Sequence, residues 1–176
     1  YEFKDTDVVF HLAALARVQP SIEDPIPFDK VNIGGTLRML KLAHNLGVAR
    51  FVYSASSSAY GNATKFPTPE GKQLTINNDG EQRRDFTYIE DVVNANILAA
   101  TNPEDLKGEV FNVGNGDNYS VNELADMLGG EKSYGNKVIE PFQTLADNSK
   151  AALILNWEPK GSLPTWIKKY KKELGI

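Results

Sequence analysis

Phe51-Val52-Tyr53-Ser54-Ala55-Ser56-Ser57-Ser58-Ala59-Tyr60-Gly61 is the stretch that decides how the rest of the chain is read. Its first residues are aromatic and β-branched, the composition of a buried parallel strand. A run of hydroxyls follows and ends at Gly61, where the strand opens into a loop. In open α/β sheets, ligands bind just outside the carboxyl ends of the strands. Hydroxyls there can hydrogen-bond a ligand without adding charge, although the same residues also cap loop backbone. Their surroundings choose between the two.

Upstream, Asp7-Val8-Val9-Phe10-His11-Leu12-Ala13-Ala14 is an apolar run breaking into small residues, a second buried strand whose exit permits close approach to the backbone. Pro20 to Pro27 cannot form one regular helix. From Phe28, the positions Val31, Leu37, Leu40, Leu42 and Leu46 suit a helix ending near Gly47. Strand, helix and strand make a βαβ unit of a parallel sheet.

Downstream of a Pro-, Gly- and Asn-rich passage, Leu74-Thr75-Ile76 reads as a short strand and Asp85–Thr101 as a helix. Glu109–Val113 reads as a strand closed by Gly114-Asn115-Gly116. Ser120-Val121-Asn122-Glu123 is a capping box. Lys137–Glu140 reads as a short strand, Asn148–Leu155 and Pro164–Leu174 as terminal helices, the last with a solvated lysine face.

Composition narrows the function. The 176 residues are 41% hydrophobic and 24% charged, the balance of one globular domain with at most a small appendage. A net charge of −4 gives no global field for nucleic acid. Without cysteine there is no disulfide and no thiol nucleophile, and with His11 and His44 as the only imidazoles no metal site is expected. No apolar run reaches spanning length and no signal sequence opens the chain. No membrane partner is expected, and the cytoplasm is the default compartment.

Several local signatures stand in order: His11-Leu12-Ala13-Ala14, Asn32-Ile33-Gly34-Gly35-Thr36, Ser54 to Gly61, and Gly80-Glu81-Gln82-Arg83-Arg84-Asp85-Phe86 with Asp91-Val92-Val93. Phe111-Asn112-Val113-Gly114-Asn115-Gly116, Ala146-Asp147-Asn148-Ser149-Lys150-Ala151 and Asn156-Trp157-Glu158-Pro159 follow. In this order they resemble the extended short-chain dehydrogenase/reductase family, in its NAD-dependent epimerase/dehydratase branch, most like the UDP-glucose (galactose) 4-epimerases. The resemblance implies an α/β fold, a doubly wound parallel (Rossmann-type) sheet with a small C-terminal substrate lobe. Residues 1–70 would form part of a dinucleotide-binding domain, and residues 71–176 the remaining elements with an interleaved nucleotide-sugar lobe.

The resemblance also implies what is missing, so the fold is expected to be incomplete. The family opens with a strand and a Gly-rich turn that sets the cofactor pyrophosphate on a helix N-terminus, whereas this chain starts at what matches the lead-in to the family's fourth strand. The family carries Tyr-x-x-x-Lys downstream of the serine strand; here Tyr60 is followed four residues on by Thr64, and Lys65 falls one residue late. Near Pro141-Phe142-Gln143 the family's arginine and Gly-Asp are missing. Deleting a central strand and the cofactor turn would expose core on both sides of the sheet, a loss at about 25 cal/mol per Å² comparable with a domain's net stability. The chain is therefore expected to be part of a longer polypeptide and, as it stands, inactive.

Residue by residue, the resemblance makes Ser56 the catalytic hydroxyl that hydrogen-bonds the reacting sugar hydroxyl. Leu12, Ala13 and Ala14 match the ribose and diphosphate side of NAD, Asn32 an amide beside that cofactor, and Ser54 a serine beneath the nicotinamide. Arg84 matches the arginine gripping the substrate diphosphate, which its fork meets bidentately. Asn77 stands where an aromatic usually stacks on uracil, and Ser57 lies on the substrate side. The related dehydratases place Asp-Glu at positions 57 and 58, the decarboxylases commonly a Glu; neutral Ser57 and Ser58 cannot serve as that acid–base pair. His11 reads as a hydrogen-bonded strand-end histidine rather than a general base.

The expected function is thus an NAD-dependent nucleotide-sugar 4-epimerase acting on a UDP-hexose or related nucleotide sugar through a transient 4-keto sugar, with a homodimer as the assembly seen among relatives. The alternatives are a non-catalytic nucleotide-sugar-binding remnant, or a 4-reductase or dehydratase of the same family.

Overall fold

The βαβ unit read from the first sixty residues is present in the computed structural model, which describes residues 4–16, 18–56, 74–137 and 142–175. The chain divides into two units, Tyr1–Lys65 with Ala99–Thr101, and Phe66–Leu98 with Asn102–Ile176.

In the first unit, β1 (Val8–His11) and β2 (Arg50–Tyr53) pair in parallel, Val8 opposite Arg50 and His11 opposite Tyr53. Parallel neighbours need a long crossover. Here it consists of α1 (Val18–Glu23), α2 (Pro25–Phe28), a π-helical stretch Asp29–Gly35 and α3 (Thr36–Asn45). The proline-rich passage behaves as expected: Asp24 is extended at φ −141°, parting α1 from α2, and Pro25 takes the first position of α2, where its missing N–H costs nothing. The helix expected from Phe28 onward exists, but its first two turns are π-helical, ending at Gly34-Gly35.

In the second unit, β3 (Leu74–Ile76) pairs in parallel with β6 (Lys132–Tyr134), and β4 (Arg83–Arg84) antiparallel with β5 (Tyr119–Ser120). Between them run α4 (Ile89–Thr101) and α5 (Val121–Leu128), and α6 (Ser149–Leu155) and α7 (Leu163–Leu174) close the chain. The capping box forms in both directions. Ser120 Oγ accepts from the Glu123 N–H at 3.0 Å, and Glu123 Oε2 from the Ser120 N–H at 2.6 Å, satisfying donors that a helix start leaves open. Ile76, Ala95, Ala125, Ala151, Leu155, Trp157 and Ile167 form the core.

Three element expectations change. The helix expected from Asp85 begins at Ile89, because Tyr88 is extended at φ −68°, ψ 134°. Glu109–Val113 joins no ladder among the described residues. Its side chains turn to α6 instead: Lys150 pairs with Glu109 and lies 5.3 Å above the Phe111 ring, and Asn112 Nδ2 reaches Asp147 O at 3.3 Å. The strands β4, β5 and β6 are unforeseen, and most of the stretch expected near the last, Lys137–Glu140, lies outside the described residues.

Candidate functional site

In the first unit the carboxyl ends of β1 and β2 emerge side by side. The Ser54 N–H donates to His11 O at 3.1 Å, one residue beyond the ladder. Leu12, Ala13 and Ala14 therefore leave β1 where Ser54, Ala55 and Ser56 leave β2. Leu12, Ala13 and Ala14 are exposed, Ser54 is half-buried and Ser56 exposed. Ser57, with Ser58 to Gly61 and Lys65, lies outside the described residues.

Asn32 sits in the π-helical stretch and reaches across to the loop after β1. Its Oδ1 accepts from the Leu15 N–H at 2.8 Å, and its Nδ2 donates to Leu15 O at 3.0 Å. One amide thus satisfies both backbone groups of one loop residue. The Thr36 hydroxyl, one turn later, donates to Asn32 O at 2.6 Å and lies 2.8 Å from His11 Nε2. Since that hydroxyl proton is directed to Asn32, His11 is the donor in the second contact. His11 is buried, stacks on Tyr53 at 5.5 Å and tilts against Phe51 at 5.7 Å. It is a hydrogen-bonded strand-end residue, as read from the sequence.

Small exposed side chains on a loop whose backbone is pinned from behind leave that backbone open to a flat ligand. A dinucleotide's ribose and diphosphate fit such a surface.

In the second unit, Arg83 and Arg84 are consecutive on β4 and point to opposite faces. Arg83 is taken up structurally. Its Nε and Nη2 donate to Asn118 Oδ1 and O at 2.8 and 2.7 Å, and its Nη1 pairs with Glu123 at 3.0 Å. Arg84 is buried at 8% exposure, its Nη1 donating to Arg83 O at 2.7 Å. Asn77 is exposed in the bend after β3, where its carbonyl accepts from Gln82 Nε2 at 3.0 Å.

Two carboxylates that the sequence reading gave no role organise this unit. Asp85 accepts backbone N–H groups from Asn115 at 2.7 Å, Gly116 at 3.0 Å and Ala146 at 3.1 Å. It ties the Gly-Asn-Gly turn to the strand bearing Arg84. Gly114 is required there, because a Cβ would run into the Asp85 carboxylate and the Ala146 side chain. Asp91 is buried in α4 and accepts from the Lys160 and Gly161 N–H groups at 3.0 and 2.7 Å, while its own carbonyl accepts from Trp157 Nε1 at 2.8 Å. Both lie in quoted signatures, but a lone acid in a loop or helix gives no sequence cue that backbone donors will converge on it.

A proton-accepting tyrosine needs a depressed pKa. Tyr88 and Tyr119 go the other way: a hydrogen bond to Glu90 raises the first, burial followed by the nearby Asp117 the second. Among the described residues, no group of three or more His, Cys, Asp or Glu could hold a metal ion, and no helix is long and apolar enough to cross a membrane.

The comparisons bear on this arrangement. Residues 2–78 match a family model described as GDP-mannose 4,6 dehydratase, and residues 67–114 match that of the NAD dependent epimerase/dehydratase family. UDP-glucuronate 4-epimerase of Thermodesulfobacterium geofontis is 28% identical, covering 96% of this chain and 72% of the relative. That alignment takes 239 positions against about 169 residues here (96% of 176), leaving about 70 without a counterpart in this chain. Among solved structures, UDP-glucuronic acid 4-epimerase from Bacillus cereus, in complex with UDP-glucuronic acid and NAD, superposes with a TM-score of 0.85 at 27% identity, over 98% of this chain and 77% of that one. UDP-glucose 4-epimerase from Thermotoga maritima, with UDP-glucose, gives 0.81 at 28% identity over 96% and 78%. The fold class is that of these Rossmann-type enzymes. On the ordered signatures, the two family models and these neighbours, the chain is similar to the extended short-chain dehydrogenase/reductase family, in its NAD-dependent epimerase/dehydratase branch.

Proposed function

We propose that this chain carries part of the cofactor and sugar sites of an NAD-dependent nucleotide-sugar 4-epimerase, with a UDP-hexose or UDP-hexuronate as substrate. The observation that carries the reading is the shared strand edge, where the loop Leu12–Ala14 and the hydroxyls of Ser54 and Ser56 emerge together, aligned by the Ser54–His11 bond. Bound there, NAD would supply a reversible acceptor for the hydride of the sugar C4–H. Leu12, Ala13 and Ala14 would lie along its ribose and diphosphate, with Asn32 and Ser54 completing the wall. Ser56 would hold the reacting hydroxyl in place for proton removal. Arg84 would neutralise the substrate diphosphate, with Asn77 near the base and Ser57 on the sugar side. A neutral Ser57-Ser58 pair lacks the second acid–base group that dehydration requires. This favours epimerisation. A cytoplasmic homodimer with no nucleic-acid or membrane partner completes the reading.

The second reading is a nucleotide-sugar binder without turnover, favoured by one observation: no tyrosine in the chain has a lysine four residues on. Calorimetric titration with NAD and with UDP-glucuronate, followed by NMR of the sugar C4 proton, separates the two. Binding of both NAD and the UDP-sugar supports the epimerase, with or without a changed C4 configuration in this chain. UDP-sugar binding without NAD supports the binder, and binding of neither ligand overturns both.

A further inference from the structure

We infer that Thr36 and His11 are positioning residues that act through Asn32 to hold the loop after β1 in the shape a dinucleotide would lie against. This rests on the cofactor-loop reading above and extends it to two side chains that do not themselves reach the loop.

Asn32 has a demanding contact to make. Its amide must present Oδ1 to one Leu15 group and Nδ2 to the other, at 2.8 and 3.0 Å. An amide rotated by half a turn would place N–H against N–H and oxygen against oxygen, so the contact works in one orientation only. Asparagine is also a poor helix former, because its side chain competes for local backbone. The residue therefore needs support from its own helix.

Thr36 supplies it. Four residues on, its hydroxyl binds Asn32 O at 2.6 Å, in the stretch where the helix is widened. A β-branched threonine has restricted χ1 freedom, so the hydroxyl's direction is set by the backbone. Its acceptor side is then occupied by His11 Nε2 at 2.8 Å. The ring of His11 is held between Tyr53 and Phe51 of β2, and its carbonyl is held by the Ser54 N–H. The chain of contacts thus runs from the sheet through His11, Thr36 and Asn32 to Leu15. Each link is a side chain with one geometry, and the loop at the far end is exposed.

The test is amide hydrogen exchange on the intact chain without ligand, reading Leu15 against Ser54. The Leu15 N–H reports the clamp, and the Ser54 N–H, bonded to His11 O, reports whether the strand pair itself has opened. Thr36→Val keeps the shape and removes the hydroxyl. The expected result is Leu15 exchange faster by about fivefold with Ser54 unchanged, the loss of about one neutral hydrogen bond's support. Thr36→Ser should restore the original rate, and His11→Phe should loosen Leu15 while keeping the stack on Tyr53. Unchanged Leu15 exchange in Thr36→Val, or equal acceleration of Leu15 and Ser54, would overturn the inference. Adding NAD to the same samples separates the two claims. If the Leu15 rate follows Thr36 and no amide of residues 12–16 shifts with NAD, the clamp stands and the cofactor reading fails.

Discussion

The two units of this chain satisfy themselves to different degrees. The second encloses Trp157 and Ile167 almost completely and directs backbone donors onto Asp85 and Asp91. Among the described residues, the first buries Ala43 and His11, while Ile22, Ile26, Ile33 and Leu37 stand 65–74% exposed. Among the described residues its sheet is one parallel pair, and parallel sheets are ordinarily covered on both faces. A hydrophobic face is stabilising only when something lies over it. The second unit's fold is set by contacts within it, while the described residues of the first leave apolar side chains exposed.

The sharpest way to break this comparison is Trp157→Ala. It removes a fully buried ring and its hydrogen bond to the Asp91 carbonyl, and should cost the second unit about 3–5 kcal/mol. Urea unfolding followed by Trp166 fluorescence reads this, and a loss below 1 kcal/mol would mean the core is not where the buried residues place it. Asp85→Ala comes next. Three backbone donors lose a charged acceptor, an expected cost of about 2–3 kcal/mol seen in the same melt. The turn Asn115-Gly116 should also gain exchange.

A smaller effect is expected at the capping box, where Ser120→Ala should lose about 1 kcal/mol. Its pH dependence has a definite sign. The Ser120 backbone N–H, with Arg83 nearby, holds the Glu123 carboxyl below its ordinary 4.5. That contribution is therefore complete above the unfolded value and fades as pH falls through the lower folded one. Urea midpoints at pH 6 and pH 3 should differ more in the wild type than in Glu123→Gln, and parallel profiles would refute the linkage. Least of all should change in the first unit. Leu37→Ser, on an exposed face, is expected to alter stability by no more than about 0.5 kcal/mol. A loss beyond 1 kcal/mol would show that this face is covered in solution.

Much of this was legible in the residues themselves. Continuous apolar runs breaking into small or hydroxyl residues gave β1 and β2, and the Ser120–Glu123 spacing gave α5, because these signals are local. Glu109–Val113 looked equally strand-like but joins no ladder among the described residues, since a strand is completed only by a neighbour supplied from elsewhere in the chain. Ser57 and the Asn62–Lys72 passage lie outside the described residues.

By itself, then, the sequence carried the family resemblance, the strand–helix–strand order of the first unit, and which residue types stand at the strand ends, because composition and spacing encode local preference directly. Only the tertiary structure decided that Asn32 spends its amide on Leu15, that Thr36 and His11 stand behind it, and that Asp85 and Asp91 gather backbone donors from more than 25 residues away. The reason is geometric. A hydrogen bond between distant residues depends on where the chain brings both partners, and nothing in either partner's neighbours specifies that meeting.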